Sequence, residues 1–173
     1  MIQLILGGAR SGKSRMAEQT AQQLGKSVIY VATAQAGDAE MQARIQHHQQ
    51  QRPQIWQLCE EPLYLAEQLK MLDHPNAVIL VDCLTLWMSN LLMQSAESFA
   101  EQQISALLEV LPQLQADIIL VSNETGLGVV PMGEITRKFV DETGRLHQQL
   151  GQIADKVQFC VAGFPMLLKG EKK

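Results

Sequence analysis

The chain has 173 residues, of which 46% are hydrophobic, 18% charged and 5% aromatic, a composition that excludes an intrinsically disordered protein. Eighteen acidic against fourteen basic side chains leave a net charge of −4, with no basic footprint for DNA or RNA, so no nucleic-acid partner is expected. A chain of this length buries roughly 70% of its unfolded surface, enough for one core, and residues 1–173 are expected to form a single domain.

The first predicted strand is the aliphatic run Ile2 to Leu6, and the second is Val28 to Ala32. Asp38 precedes a helical stretch, Ala39 to Gln50, which Pro53 ends. Ile55 to Leu58 reads as a third strand, and Pro62 suits the first turn of a helix running through Met71. After the strand Ala77 to Val81, the segment Leu84 to Leu114 reads as two helices broken near Ser95 and near Pro112. Its Leu84, Leu86, Trp87 and Met88 are expected in the core. A strand Asp117 to Val121 follows. Ile135, Phe139, Leu146, Leu150 and Ile153 then recur at helical spacing over Gly133 to Ala154. Lys156 to Val161 is the last predicted strand.

Strands alternating with helices specify an α/β chain, and runs that are apolar on both faces belong to a mostly parallel sheet covered on each side. The three cysteines, Cys59, Cys83 and Cys160, are an odd number in apolar segments and read as reduced core thiols. The start lacks a basic region before an apolar run of only about five residues, too short for a secretory signal. No window holds the roughly 18 apolar residues of a spanning helix. A cytoplasmic protein without stable membrane insertion is expected.

Between the first strand and the first helix lies Gly7-Gly8-Ala9-Arg10-Ser11-Gly12-Lys13-Ser14, which fits G-x-x-x-x-G-K-[ST]. The glycines let successive N–H groups turn toward a phosphate, and the following helix offers its unpaired N–H groups and positive dipole end. Lys13 is placed to reach the terminal phosphates and Ser14 to hold Mg²⁺. Asp82, closing Val78-Ile79-Leu80-Val81, suits the second metal carboxylate, although a strand-end aspartate also occurs without that role. The expected fold is therefore an α/β, P-loop NTPase-type three-layer sandwich around a mostly parallel central sheet. The guanine-reading N-K-x-D of switch GTPases is absent, which disfavours a nucleotide switch.

His47 and His48 are adjacent on a predicted helix, so their imidazoles point about 100° apart and do not form the i, i+4 pair that shares a zinc ion. Spacing alone reads them as surface histidines of a glutamine-rich helix. A neutral imidazole nevertheless can attack phosphorus and pass the group onward as a phosphoramidate.

The loop GGARSGKS, then R-I-Q-H-H followed by R-P-x-x-W-x-x-x-E, then S-N-E-x-G-x-G-V-V-P, occur in this order from Gly7 to Pro131. The chain resembles the bifunctional adenosylcobinamide kinase / adenosylcobinamide-phosphate guanylyltransferase family of cobalamin biosynthesis over nearly its whole length. The resemblance implies phosphorylation of adenosylcobinamide by a nucleoside triphosphate, then transfer of GMP from GTP to adenosylcobinamide phosphate with release of pyrophosphate. It implies a GMP-histidine intermediate on His48, with His47 the alternative, and Lys13 as the other catalytic residue. Implied nucleotide contacts are Gly7, Gly8, Ala9, Arg10, Ser11, Gly12, Lys13, Ser14, Ala32, Thr33, Ala34, Gln49, Gln50, Gln51, Arg52, Glu60 and Asp82. ATP and GTP as substrates, Mg²⁺ at Ser14 and Asp82, and a homotrimer are also implied. The chain departs from the family pattern at Gln49, where lysine is common, at Asp82, where glutamate is common, and at His147, where asparagine is usual. Arg137, Asp141 and Arg145 match the family's late helix, but salt bridges along the helix face explain them equally well. The competing enzyme reading is a monofunctional small-molecule kinase.

Overall fold

A computed structural model of the protein describes residues 1–35, 53, 55–96 and 98–171. The predicted helix Ala39 to Gln50, His47, His48 and Gln49 to Arg52 lie outside the described residues.

The strands are β1 (Ile2–Gly7), β2 (Ser27–Ala32), β3 (Gln57–Glu60), β4 (Ala77–Asp82), β5 (Asp117–Asn123), β6 (Lys156–Val161) and β7 (Phe164–Lys169). The helices are α1 (Lys13–Gln23), α2 (Leu65–Leu72), α3 (Leu84–Leu92), α4 (Phe99–Val110), continued by a 3₁₀ turn at Leu111–Gln113, and α5 (Glu134–Ile153). All seven strands join one sheet in the order β3-β2-β4-β5-β1-β6-β7, parallel throughout except for β6 against β7.

Side-chain alternation along each strand divides the core in two. On one face, Leu4, Leu6, Ile79, Val81, Ile118 and Leu120 pack against α2, α3, α4 and α5 through Leu69, Trp87, Leu107 and Leu146. On the other, Ile5, Tyr30, Leu80, Ile119 and Val121 pack against Ala17 and Ala21 of α1. The two clusters make three layers, and β1 is buried along its whole length, as a strand covered on both sides must be. Leu84, Trp87 and Met88 are core as expected, while Leu86 is only partly buried, against the α1-side cluster. The three cysteines are free thiols, Cys83 and Cys160 buried and Cys59 half-buried.

Four expectations need correction. The third strand starts at Gln57, not Ile55, because Ile55 sits in a turn closed by Trp56 N–H donating to the Pro53 carbonyl at 3.1 Å and is 91% exposed. The helix expected from Pro62 begins at Leu65: Glu61 Oε1 accepts from the amides of Leu63 and Tyr64 at 2.8 and 2.7 Å and holds a bend there. Ile135 belongs to the periodic stripe yet is exposed, because the first turns of α5 overhang the core and its buried residues begin at Thr143. Strand β7 was not predicted. Its Pro165 argues against a strand, but β7 is the edge of the sheet, where a missing N–H is tolerated.

Candidate active site

Because β1 to β6 run parallel, the segments that follow them emerge at one end of the sheet, where open α/β sheets bind ligands. The structure thereby places at one end of the sheet the loop after β1, Ala32 to Ala34 after β2, Asp82 at the end of β4 and, on the edge strand four positions from β1, Glu60 at the end of β3. Register places Ala32 between Glu60 and Asp82.

The loop turns at Arg10, whose φ is 55°, and at Gly12, whose φ is 94°, and Ser11 N–H donates to the Gly8 carbonyl at 3.2 Å. A left-handed Gly12 directly before Lys13 lets α1 start with its first amides facing the loop, the arrangement that binds phosphate. Lys13 is buried, and its ammonium folds over the loop and donates to the Gly8 carbonyl at 3.1 Å. A β-carbon at Gly7 would stand 2.7 Å from the Cys160 carbonyl oxygen, so the loop packs directly on β6.

Asp82 closes β4 on the α1 face of the sheet, and Tyr30 Oη donates to its Oδ2 at 3.0 Å. Ser14 is the second residue of α1. Both are hard oxygen donors, and one carboxylate plus one hydroxyl leaves room for water and phosphate oxygens, which fits the coordination Mg²⁺ prefers. No group of three or more His, Cys, Asp or Glu that could hold a metal occurs among the described residues. The Asp82–Cys83 peptide is cis. Burial first, and then the Asp82 carboxylate, push the Cys83 thiol up to about 11, while the Lys13 ammonium pulls it down. That thiol stays protonated, and both Asp82 and Lys13 lie within electrostatic reach of it.

Thr33 is fully buried and its hydroxyl is committed: it donates to the Cys83 carbonyl at 2.7 Å and accepts from Cys83 N–H at 3.0 Å. The Thr33 carbonyl accepts from Asn90 Nδ2 at 2.8 Å. Thr33 thus clamps the end of β2 to the end of β4 and sets the separation of Ala32 from Asp82. Ala34 is half-buried and Glu60 is exposed. Among the late-helix residues, Arg145 pairs with Glu142 at 2.5 Å and Arg137 donates to the carbonyls of Pro131 and Met132, so both serve the helix and its entry turn.

Sequence reasoning missed a buried polar cluster at the end of β5. Ser122 Oγ lies 2.8 Å from His147 Nε2 on α5 and 3.1 Å from Thr85 Oγ1 on α3. Asn123 N–H donates to Thr85 Oγ1 at 2.6 Å, Glu124 N–H donates to the Gly7 carbonyl at 3.0 Å, and Glu124 Oε2 lies 3.6 Å from His147 Nδ1. The local signals were three consecutive polar residues closing an aliphatic strand and the motif S-N-E-x-G-x-G-V-V-P that opens with them, neither of which shows what those side chains meet.

The chain is similar to known proteins in both sequence and fold. The chain is 54% identical over 171 residues to the bifunctional adenosylcobalamin biosynthesis protein CobP of Pseudomonas aeruginosa, covering 99% of both chains. It is 38% identical over 184 residues to the bifunctional adenosylcobalamin biosynthesis protein CobU of Escherichia coli, covering 98% of this chain and all of the other. Among solved structures it resembles a Pyrococcus horikoshii protein studied as project PH0250, with a TM-score of 0.58 at 9% identity over 99% of this chain and 87% of that one. It also resembles the RadB recombinase, with a TM-score of 0.50 at 19% identity over 91% of this chain and 73% of that one. At such identities these two speak to the fold alone, which is that of a P-loop NTPase. The model of the cobinamide kinase / cobinamide phosphate guanyltransferase family matches residues 3–168, from the first strand through the last, and the chain belongs to that family.

Proposed function

We propose that this chain phosphorylates the hydroxyl of adenosylcobinamide with ATP or another nucleoside triphosphate and then transfers GMP from GTP to the new phosphate, giving adenosylcobinamide-GDP and pyrophosphate. The observation that carries the reading is the loop Gly7–Ser14 at the carboxyl end of β1, in a chain whose residues 3–168 match one family. In the first reaction the loop amides and Lys13 spread the charge of the transferred phosphoryl group. Ser14 and Asp82 would hold Mg²⁺ directly or through water, where it would neutralise phosphate charge.

In the second reaction a His48 nitrogen attacks the α-phosphorus of GTP. An N–P bond forms, the bond to the β-phosphate bridge breaks, and pyrophosphate leaves with the electron pair. The cobinamide phosphate then attacks the same phosphorus and the imidazole departs. Gln49 to Arg52, on the same predicted segment, complete the nucleotide contacts; Arg52 suits phosphate charge, and Glu60 a guanine or ribose donor. One domain of 173 residues carries both reactions and assembles as a homotrimer, a reading supported by the exposed apolar segment before α5.

Peptide mass spectrometry after incubation with GTP and Mg²⁺, beside ATP, tests the reading. The expected result is a GMP adduct on the peptide holding His47 and His48, formed with GTP only and absent from His48→Ala. His48→Ala should keep cobinamide phosphorylation and lose guanylyl transfer, while Lys13→Ala impairs both. Phosphorylation without any adduct in the wild type would leave a kinase alone.

A further inference from the structure

We propose that Asn123 is a catalytic residue of the kinase step, its carboxamide oxygen accepting a hydrogen bond from the attacking hydroxyl and holding that oxygen in line with the γ-phosphorus. The inference rests on the kinase reading above and goes beyond the residues assigned there.

The sheet order is the first argument. β5 lies between β1, which delivers the phosphate loop, and β4, which delivers Asp82. Asn123 is paired with Gly7, and Asp82 with Val121, so Asn123 extends two residues beyond Asp82 toward the open end of the sheet. It therefore stands between loop and carboxylate, one strand spacing of about 4.8 Å from each strand.

Alternation supplies the second. Val121 belongs to the α1-side cluster with Ile5 and Leu80, so Asn123, Gly7 and Asp82, each two residues further on, share that face. Ser122 lies on the opposite face, where it meets Thr85 and His147. The face that receives the phosphates is thus the face that carries the Asn123 side chain.

An orphaned acceptor points the same way. Asn123 Oδ1 is buried and has no hydrogen-bond partner among the described residues. Buried carbonyl oxygens are nearly always paired, and an unpaired one beside a binding site points to a partner brought by the ligand. The strand end around it is held from three sides, by Thr85 on the Asn123 amide, by His147 on Ser122 and by Gly7 on the Glu124 amide. A side chain on backbone so held keeps its geometry while the ligand arrives.

A carboxamide is not a base at neutral pH, so its contribution is orientation. The hydroxyl donates its hydrogen to Oδ1 and directs a lone pair at phosphorus. The O–P bond forms, the bond from the γ-phosphorus to the β-bridging oxygen breaks with its electron pair going to the nucleoside diphosphate, and the hydroxyl proton is released to solvent as the product forms.

Initial rates of adenosylcobinamide phosphorylation with ATP and Mg²⁺, together with ATP affinity by calorimetry, decide the matter for the wild type, Asn123→Ala and Asn123→Asp. In Asn123→Ala, kcat should fall at least about tenfold while the Kd for ATP stays within about twofold. Asn123→Asp, which keeps an acceptor oxygen at the same reach, should retain more of kcat than the alanine variant. Should alanine fail to fold by circular dichroism, Asn123→Ser removes the same oxygen and carries the same expectation. Wild-type kcat in the truncated variant, a loss carried by Kd instead of kcat, or an aspartate variant no better than alanine would each overturn the proposal. A wild type that binds ATP without phosphorylating adenosylcobinamide would overturn the kinase reading itself.

Discussion

His147 shows how one residue acquires a role from its surroundings. Burial disfavours the imidazolium and the Glu124 carboxylate favours it; the net effect is a pKa below the ordinary histidine value. The folded protein thus holds a neutral ring. With Nδ1–H toward Glu124, Nε2 accepts from the Ser122 hydroxyl, Ser122 accepts from Thr85, and Thr85 accepts from the Asn123 amide, a chain with one consistent direction. The unfolded chain binds the proton at about pH 6.5, so it carries more protons than the native state in the window between the two pKa values. Stability from this site is therefore full above about pH 6.5 and falls as pH drops through the folded-state pKa. Urea midpoints measured across that window should decline on acidification, and His147→Asn should lose this part of the decline; equal slopes in both proteins would remove His147 as its source. None of this was legible in the sequence, because Ser122 meets partners 25 and 37 positions away. The phosphate loop was legible because its eight residues are contiguous and lie between a strand and a helix.

Among the elements, the β6–β7 hairpin has the largest consequence for the site. Ala162 and Gly163 both have positive φ, 51° and 84°, the geometry of a two-residue turn that matches strand twist. That turn reaches the phosphate loop: Gly163 N–H donates to the Ser11 carbonyl at 2.8 Å, and the Cys160 thiol donates to the same oxygen at 3.1 Å. A β-carbon at Gly12 would stand 3.2 Å from the Gly163 Cα. Gly163→Val is expected to cost about 1–3 kcal/mol of stability through the strained φ, read by urea unfolding, and to weaken nucleotide binding in a titration because the loop loses its support. Unchanged affinity in the folded variant would mean the loop keeps its shape without the hairpin. β6 was predicted residue for residue, whereas β7 was hidden by its proline and by a pattern that leaves most of the strand exposed.

For the whole molecule, the segment that joins β5 to α5 carries more apolar surface than a monomer ordinarily leaves to water. Val129 and Met132 are each 95% exposed, and Leu127, Val130 and Ile135 are exposed beside them. Contiguous apolar surface of this kind marks an interaction site, and the proposed homotrimer would bury it against a second copy. Light scattering on the eluting protein should give a trimer for the wild type and a smaller species for the double variant Val129→Glu, Met132→Glu. A wild-type monomer would sink the trimer, and a trimer that survives both glutamates would place the interface elsewhere. No helix among the described residues is long and apolar enough to cross a membrane.

The amino-acid order alone was sufficient for the α/β class, the nearly fully buried strands and the phosphate loop, because these depend on short-range periodicity and on one contiguous motif. The place of Asp82 at the end of a buried strand was read the same way, from the aliphatic run that precedes it. Folding was needed to settle strand order, since pairings such as Ile2 with Ile118 join residues far apart in the chain and depend on which buried faces meet. That order inserts β5 between loop and carboxylate. It turns Ser122 toward Thr85 and His147 and Asn123 toward the phosphate side, makes the Thr33 hydroxyl a clamp between strands, and leaves Ile135 outside the core of the single chain although its spacing fits the core stripe. Each outcome follows from the same cause: a side chain's face is set by local geometry, but what lies opposite that face is set by the packing of distant segments.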